Sequence, residues 1–174
     1  MASPLPPPDP RIALKAVHLA PGVLGSMQAH ARADYPNECC GFLLARADRT
    51  AGGDPRIVLG VQPAANRSDG EPRRRFVIRP DELRNAEART KGTSLVVGGF
   101  YHSHPDHPAL PSQVDEDHAW PWYAYLIVSM SASGVARVGA FELDPESRRF
   151  RAVPLEESAR GTTDTETVSA AARR

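Results

Sequence analysis

Only two of the 174 residues are cysteines, and they are adjacent, Cys39 and Cys40. Neighbouring cysteines rarely reach disulfide geometry with each other, so a disulfide scaffold is excluded. Net charge is also missing: 21 basic residues balance 21 acidic ones. The global attraction that phosphate-backbone binding relies on is therefore absent, and nucleic acid is not expected as a partner. No apolar run approaches the ~20 residues needed to span a bilayer; the longest is Trp122 to Val128, which argues against a membrane protein. The opening MASPLPPPDP lacks the basic-then-apolar order of a secretory signal, so a soluble, cytoplasmic chain is expected. Internal repeats, a coiled-coil period and a glycine-rich phosphate loop are all lacking.

What is present is enough for one core. Hydrophobic residues make up 41% of the chain, which suits a single domain of this length. Five of the 17 prolines fall in the first ten residues, and residues 1–10 are expected as a disordered Pro-rich tail. From about Glu156 to Arg174 the chain is rich in Ser, Thr, Ala and charge, with Val168 its only larger aliphatic side chain. Such a segment cannot offset its ordering entropy and is expected to be a second disordered tail. The expected folded domain is 11–155.

Within that domain, strand and helix patterns alternate. Ile12–Leu19 has the period-2 character of a strand. Pro21 opens a helix with Val23, Leu24, Met27 and His30 at helical spacing, ending before Tyr35-Pro36 because the residue preceding a proline leaves the helical region. Cys39–Ala45 and Arg56–Gln62 read as neighbouring strands. Pro80 with Asp81 and Glu82 marks the start of a helix over about 80–91. Ser94–His102 reads as a central strand that the Pro-rich segment Pro105–Pro111 cannot continue. A short helix at Ser112 to Ala119 precedes three strands, Tyr123–Met130, Val135–Leu143 and Phe150–Val153. The sum is an α/β or α+β sandwich. Arg73-Arg-Arg75 falls in a loop and reads as solvated surface.

Four of the six histidines lie between residues 102 and 118, beside Asp106, Asp115, Glu116 and Asp117. His102 and His104 are two apart at a strand end and project from one face, so both imidazoles can meet one metal ion. Asp115, after a proline-constrained loop, offers a third ligand. Two histidines, one carboxylate and one water make a tetrahedral catalytic zinc site with an open fourth position. A plainer reading stands beside this one. Ser112-Gln-Val-Asp115 also fits a helix capping box, and strand histidines often just hydrogen-bond at a surface. His107 and His118 read as solvent-facing, as do Asp106 and Asp117.

Glu38, then His102-Ser-His-Pro105, then Ser112 and Asp115, together resemble the JAMM (MPN+) metallopeptidases. Seven residues separate His104 from Ser112 and two separate Ser112 from Asp115, and every element of the family pattern is present. Pro36-Asn-Glu-Cys-Cys-Gly41 and Val97-Gly-Gly-Phe-Tyr-His102 match the surroundings, and the resemblance spans about 20–145. It implies a single MPN-type α/β (α+β) domain whose central mixed sheet curves into a partial barrel flanked by helices.

The resemblance also implies roles. His102, His104 and Asp115 would hold one zinc ion, Glu38 would act as general base on its bound water and then as general acid, and Ser112 would donate to the developing oxyanion. The implied reaction is hydrolysis of the amide or isopeptide bond after the C-terminal Gly-Gly of a ubiquitin-like modifier or sulfur-carrier protein, by a compact prokaryotic member. Two other readings stay open: a non-catalytic MPN scaffold, whose relatives typically lack motif residues retained here, and a zinc hydrolase of another substrate class. The sequence leaves open whether the leaving group is a lysine side chain or a free amino acid, and whether the chain works as a monomer or a homodimer. No catalytic part falls to Cys39 or Cys40.

Overall fold

The computed structural model describes residues 13–47 and 56–158. The tail expected at 1–10 lies outside them, as does most of the one expected at 156–174. In chain order the elements are β1 (Val17–Leu19), α1 (Val23–Asp34), β2 (Cys40–Arg46), β3 (Arg56–Ala64), α2 (Pro80–Thr90), β4 (Leu95–Pro105), α3 (Gln113–His118), β5 (Ala124–Ser131), β6 (Gly134–Leu143), β7 (Phe150–Ala152) and β8 (Leu155–Glu157).

The strands form one eight-stranded mixed sheet in the order β7-β6-β5-β4-β2-β3-β1-β8. β4–β5, β1–β3 and β1–β8 are parallel, and the other pairs are antiparallel. β7 and β8 stand at opposite ends of that order, yet only Val153 and Pro154 separate them in the chain. A flat eight-stranded sheet would hold its edges ~33 Å apart at the usual strand spacing, whereas a link this short spans only ~10 Å. The sheet must therefore curl on itself. Val153 closes the curl by donating to Ala140 O at 2.9 Å, and Val17 donates to Pro154 O at 2.8 Å. The mixed, curved sheet flanked by helices is the architecture the sequence implied.

Alternation along the central strands separates two apolar layers. Leu126 and Val128 on β5 face one layer with Val23, Met27 and Ala31 of α1 and Leu43 of β2. Tyr125 and Ile127 face the other, with Phe141 and Leu143. On β4, Tyr101 belongs to the α1 side, where its hydroxyl meets His30 Nδ1 at 2.8 Å. Phe100 packs on the opposite side. The same alternation puts His102 and His104 on the face away from α1.

Several boundaries differ from the sequence expectation. β4 does not stop short of the Pro-rich segment but runs through Pro105, which stays in register with Met130 of the parallel neighbour β5. The first strand is shorter, Val17–Leu19 rather than Ile12–Leu19. Residue 12 is outside the described residues, and the Leu14 N–H is taken not by a ladder but by the buried Glu142 carboxylate, at 3.0 and 3.2 Å. α1 starts at Val23 rather than at Pro21, because Gly22 holds φ 87°, which no right-handed helix accepts. β8 takes Glu156 and Glu157 from the segment expected as tail, since β1 offers it a parallel edge.

Candidate metal centre and its groove

β4 extends three residues past His102, so both histidines sit within the strand, where pairing with Ile127 and Ser129 of β5 fixes their positions. The chain then turns sharply at Asp106, whose φ is 58°. Asp115 arrives from the first turn of α3, capped by Ser112. Ser112 N and Ser112 Oγ both donate to Asp115 Oδ2, at 2.7 and 2.6 Å, and Asp115 N donates back to Ser112 Oγ at 3.2 Å. The capping reading of Ser112 is thus realised, and the cap holds the Asp115 carboxylate against the histidines.

The three side chains converge. His102 Nε2 lies 3.0 Å from His104 Nε2 and 3.3 Å from Asp115 Oδ1, and His104 Nε2 lies 3.5 Å from Asp115 Oδ2. Bonds of about 2.0–2.1 Å to a central ion at tetrahedral angles require donor atoms ~3.3 Å apart. The spacing between the imidazole nitrogens is close to that value, each imidazole faces a different oxygen of Asp115, and one ligand atom from each residue falls within 4.8 Å of the others, so two imidazoles with one carboxylate form a chemically suitable donor set for a metal ion. Among the described residues this is the cluster of His, Cys, Asp and Glu that can hold a metal.

Electrostatics within the cluster are those of groups competing for shared protons. Burial alone would raise the Asp115 carboxyl, but hydrogen bonds from His102, His104 and Ser112 outweigh it and hold it far below the usual range. Burial pushes the His102 imidazole down. For His104, burial is overcome by its bonds to Asp115 and the Pro108 carbonyl, and its imidazole is raised. His104 Nδ1 meets Pro108 O at 3.0 Å; donation there leaves Nε2 as the nitrogen turned toward the cluster. His102 Nδ1 is buried with no partner among the described residues. Its ring is held instead by stacking on Phe76, with centroids 4.5 Å apart at 26°.

Glu38 lies two residues before β2, only 5% exposed, in the same groove as the cluster. Burial raises its carboxyl, opposed by His104 and reinforced by Asp115, to about 7. Its backbone is fixed on both sides: Glu38 N donates to Pro72 O at 2.7 Å, and Asn66 Nδ2 donates to Glu38 O at 3.0 Å. Asn66 also donates to Arg75 O at 2.9 Å and accepts from Ser68 N and Val77 N, which wraps the 66–78 loop around Glu38. The thiols stay out of the chemistry. Both cysteines are fully buried, and burial lifts Cys39 to about 11 and Cys40 higher still, so neither is a thiolate at neutral pH.

All five residues singled out in the sequence line or adjoin one groove of about 920 Å³, whose walls include Phe76, Leu110 and Trp120. His107 and His118 are exposed, as expected, and stand outside the cluster. Sequence reasoning missed Asn66, Phe76 and Ser103. Only Phe76, an aromatic closing a polar stretch, carried any signal.

This fold and donor set place the chain in a known family. Residues 21–144 match the family described as prokaryotic homologs of the JAB domain, and the chain belongs to it. The desampylase of Haloferax volcanii is 34% identical over 116 residues, covering 64% of this chain and 78% of that protein. The tail tip assembly protein K of Escherichia phage N15 is 33% identical over 104 residues, 58% of this chain but only 37% of the phage protein. Among solved structures, a protein from Desulfitobacterium hafniense superposes with a TM-score of 0.69 at 31% identity, covering 82% of this chain and 92% of that one. A JAB1/MPN domain protein from Archaeoglobus fulgidus gives a TM-score of 0.53 at 17% identity over 82% of this chain and all of that one, a likeness of fold. Among the described residues no helix is long and apolar enough to cross a membrane.

Proposed function

We propose that this chain is a zinc-dependent hydrolase that cleaves the amide or isopeptide bond after the C-terminal Gly-Gly of a ubiquitin-like modifier or sulfur-carrier protein, in the cytoplasm. The observation that carries the reading is the convergence of His102, His104 and Asp115 in a groove that also contains a buried carboxylate, Glu38, whose side chain has no hydrogen-bond partner among the described residues. The likeness to a desampylase supports it.

In this reading His102 and His104 through Nε2, and Asp115 through its carboxylate, hold the zinc. A zinc ion with three protein ligands supplies Lewis acidity, lowering the pKa of a bound water to about 7. Glu38 accepts the proton of the attacking water at its carboxylate and returns it to the leaving amine. Burial of this carboxyl favours its protonated form, which helps it hold the proton between the two transfers. Ser112 donates its hydroxyl to the oxygen of the scissile carbonyl as negative charge develops there. That requires its O–H to turn from Asp115 Oδ2, which keeps the Ser112 N–H as a second donor. Pro108, through His104 Nδ1, and Phe76, across the His102 ring, keep the imidazoles aimed.

The test is incubation of zinc-loaded protein with a panel of ubiquitin-like proteins and carriers extended past Gly-Gly, read by intact mass. Release of whatever follows the second glycine supports the proposal. No cleavage of any panel member, with turnover of a different substrate class, would reject it; binding without cleavage would favour a scaffold.

A further inference from the structure

The chain carries no net charge, yet four arginines line the groove, Arg74, Arg75, Arg79 and Arg148. The turn that carries the first two is set by Arg74 N and Arg75 N both donating to Glu71 O, at 3.0 and 3.1 Å, which presents consecutive guanidinium groups. No acid among the described residues pairs with the side chains of Arg74 and Arg75, and both residues are exposed. Arg79 pairs with the exposed Asp81 at 3.7 Å, and Arg148 donates to the Ala119 carbonyl at 3.2 Å.

The carboxylates in the same groove offset this charge only in part. Glu38 is buried and Asp115 is committed to the histidines, which leaves Asp117, exposed and bonded to the neutral Gln113 amide at 2.9 Å, as the acid that faces the four arginines. Val77, Leu110, Val114 and Trp120, which also line the groove, are 41–61% exposed. A monomer leaves such a cluster of large apolar side chains in water at a cost that a ligand relieves.

We infer that the groove selects substrates with acidic side chains flanking the Gly-Gly segment, read by Arg74 and Arg75 and supported by Arg79 and Arg148. The inference rests on the proposed peptidase reading and names the chemistry of its partner: an extended tail that is apolar and acidic, not basic. Two unpaired guanidinium groups on adjacent residues favour a carboxylate-bearing chain and repel a lysine-bearing one, so charge discriminates in both directions.

The test uses the full zinc-loaded chain and one ubiquitin-like domain ending in Gly-Gly plus a released residue. It is made in two versions, with two glutamates or two lysines immediately before the glycines. The expected result is a kcat/KM about tenfold higher on the glutamate version at low salt, expressed in KM, with the preference shrinking at about 0.5 M salt. The Arg74→Glu/Arg75→Glu variant should reverse the preference with unchanged zinc content. Arg74→Gln/Arg75→Gln, which removes the charge without reversing it, should abolish the preference. Equal rates on both versions, unaffected by either variant, would overturn the inference and leave the peptidase reading standing. Failure of the wild-type protein to cleave either version, or any member of the wider panel, would overturn both.

Discussion

Ser103, between the two histidines of the cluster, is bonded twice to Cys39, the residue next to Glu38. Its Oγ accepts the Cys39 N–H at 2.8 Å, and its own N–H donates to the Cys39 carbonyl at 3.0 Å. The strand bearing two metal-binding candidates is thus tied directly to the segment bearing the candidate base, on the face away from the groove. Gly41 belongs to the same junction: a Cβ there would stand 2.5 Å from the Tyr101 ring and 2.6 Å from Gln62 O, so only glycine lets β2 lie this close to β3 and β4.

Replacing Ser103 by alanine leaves a buried N–H without its acceptor, which costs about 1–3 kcal/mol. Ser103→Ala should lower the melting temperature and reduce kcat about tenfold, with KM and zinc content little changed, because what shifts is Glu38 relative to the ligands. Thermal melting, steady-state kinetics and elemental analysis on one preparation check this. An unaltered kcat would show that the tie is structural alone.

Ser112→Ala separates the two parts assigned to that hydroxyl. Loss of the cap to Asp115 should cost about 1 kcal/mol of stability, while loss of an oxyanion donor should reduce kcat by about 10²–10³. Zinc should remain, because Ser112 N still donates to Asp115 Oδ2. A stability loss with unaltered kcat would leave Ser112 as a cap only.

Glu38 gives the metal-free protein a defined pH dependence. Burial raises its carboxyl from 4.5 to about 7, so the folded state binds this proton more tightly than the unfolded chain. The resulting stability is fully present below about pH 4.5 and is lost as the pH rises through 7. Melting curves of metal-free wild type and Glu38→Gln between pH 5 and 8 should therefore diverge, the variant gaining about 2 kcal/mol relative to wild type at the alkaline end. Parallel curves would show that the Glu38 carboxyl is not desolvated.

Much of this centre was legible in the sequence because it rests on short, periodic signals. The i, i+2 spacing of His102 and His104 on a strand dictates one face, and Ser112-x-x-Asp115 dictates a helix start; both local rules survive folding intact. What holds the centre in place was not legible, because it depends on pairings between distant segments. Ser103 meets Cys39 across 64 residues, and Asn66 meets Glu38 across 28. Phe76 reaches the His102 ring from a loop of no regular structure. The curl of the sheet was hidden for a similar reason: it is fixed by three-residue strands, β1, β7 and β8, too short for any periodicity to mark. The reading of Arg73-Arg-Arg75 as solvated surface holds for exposure, but it did not show that Arg74 and Arg75 stand in the groove wall.

The most direct test is elemental analysis of wild type, His104→Ala, Asp115→Ala and Glu38→Gln, purified side by side with zinc in the medium. About one zinc per chain is expected in wild type and in Glu38→Gln, and less than about a tenth of that in the other two. Full occupancy after removal of His104 or Asp115, or loss of the ion from Glu38→Gln, would contradict the proposed division between ligands and base.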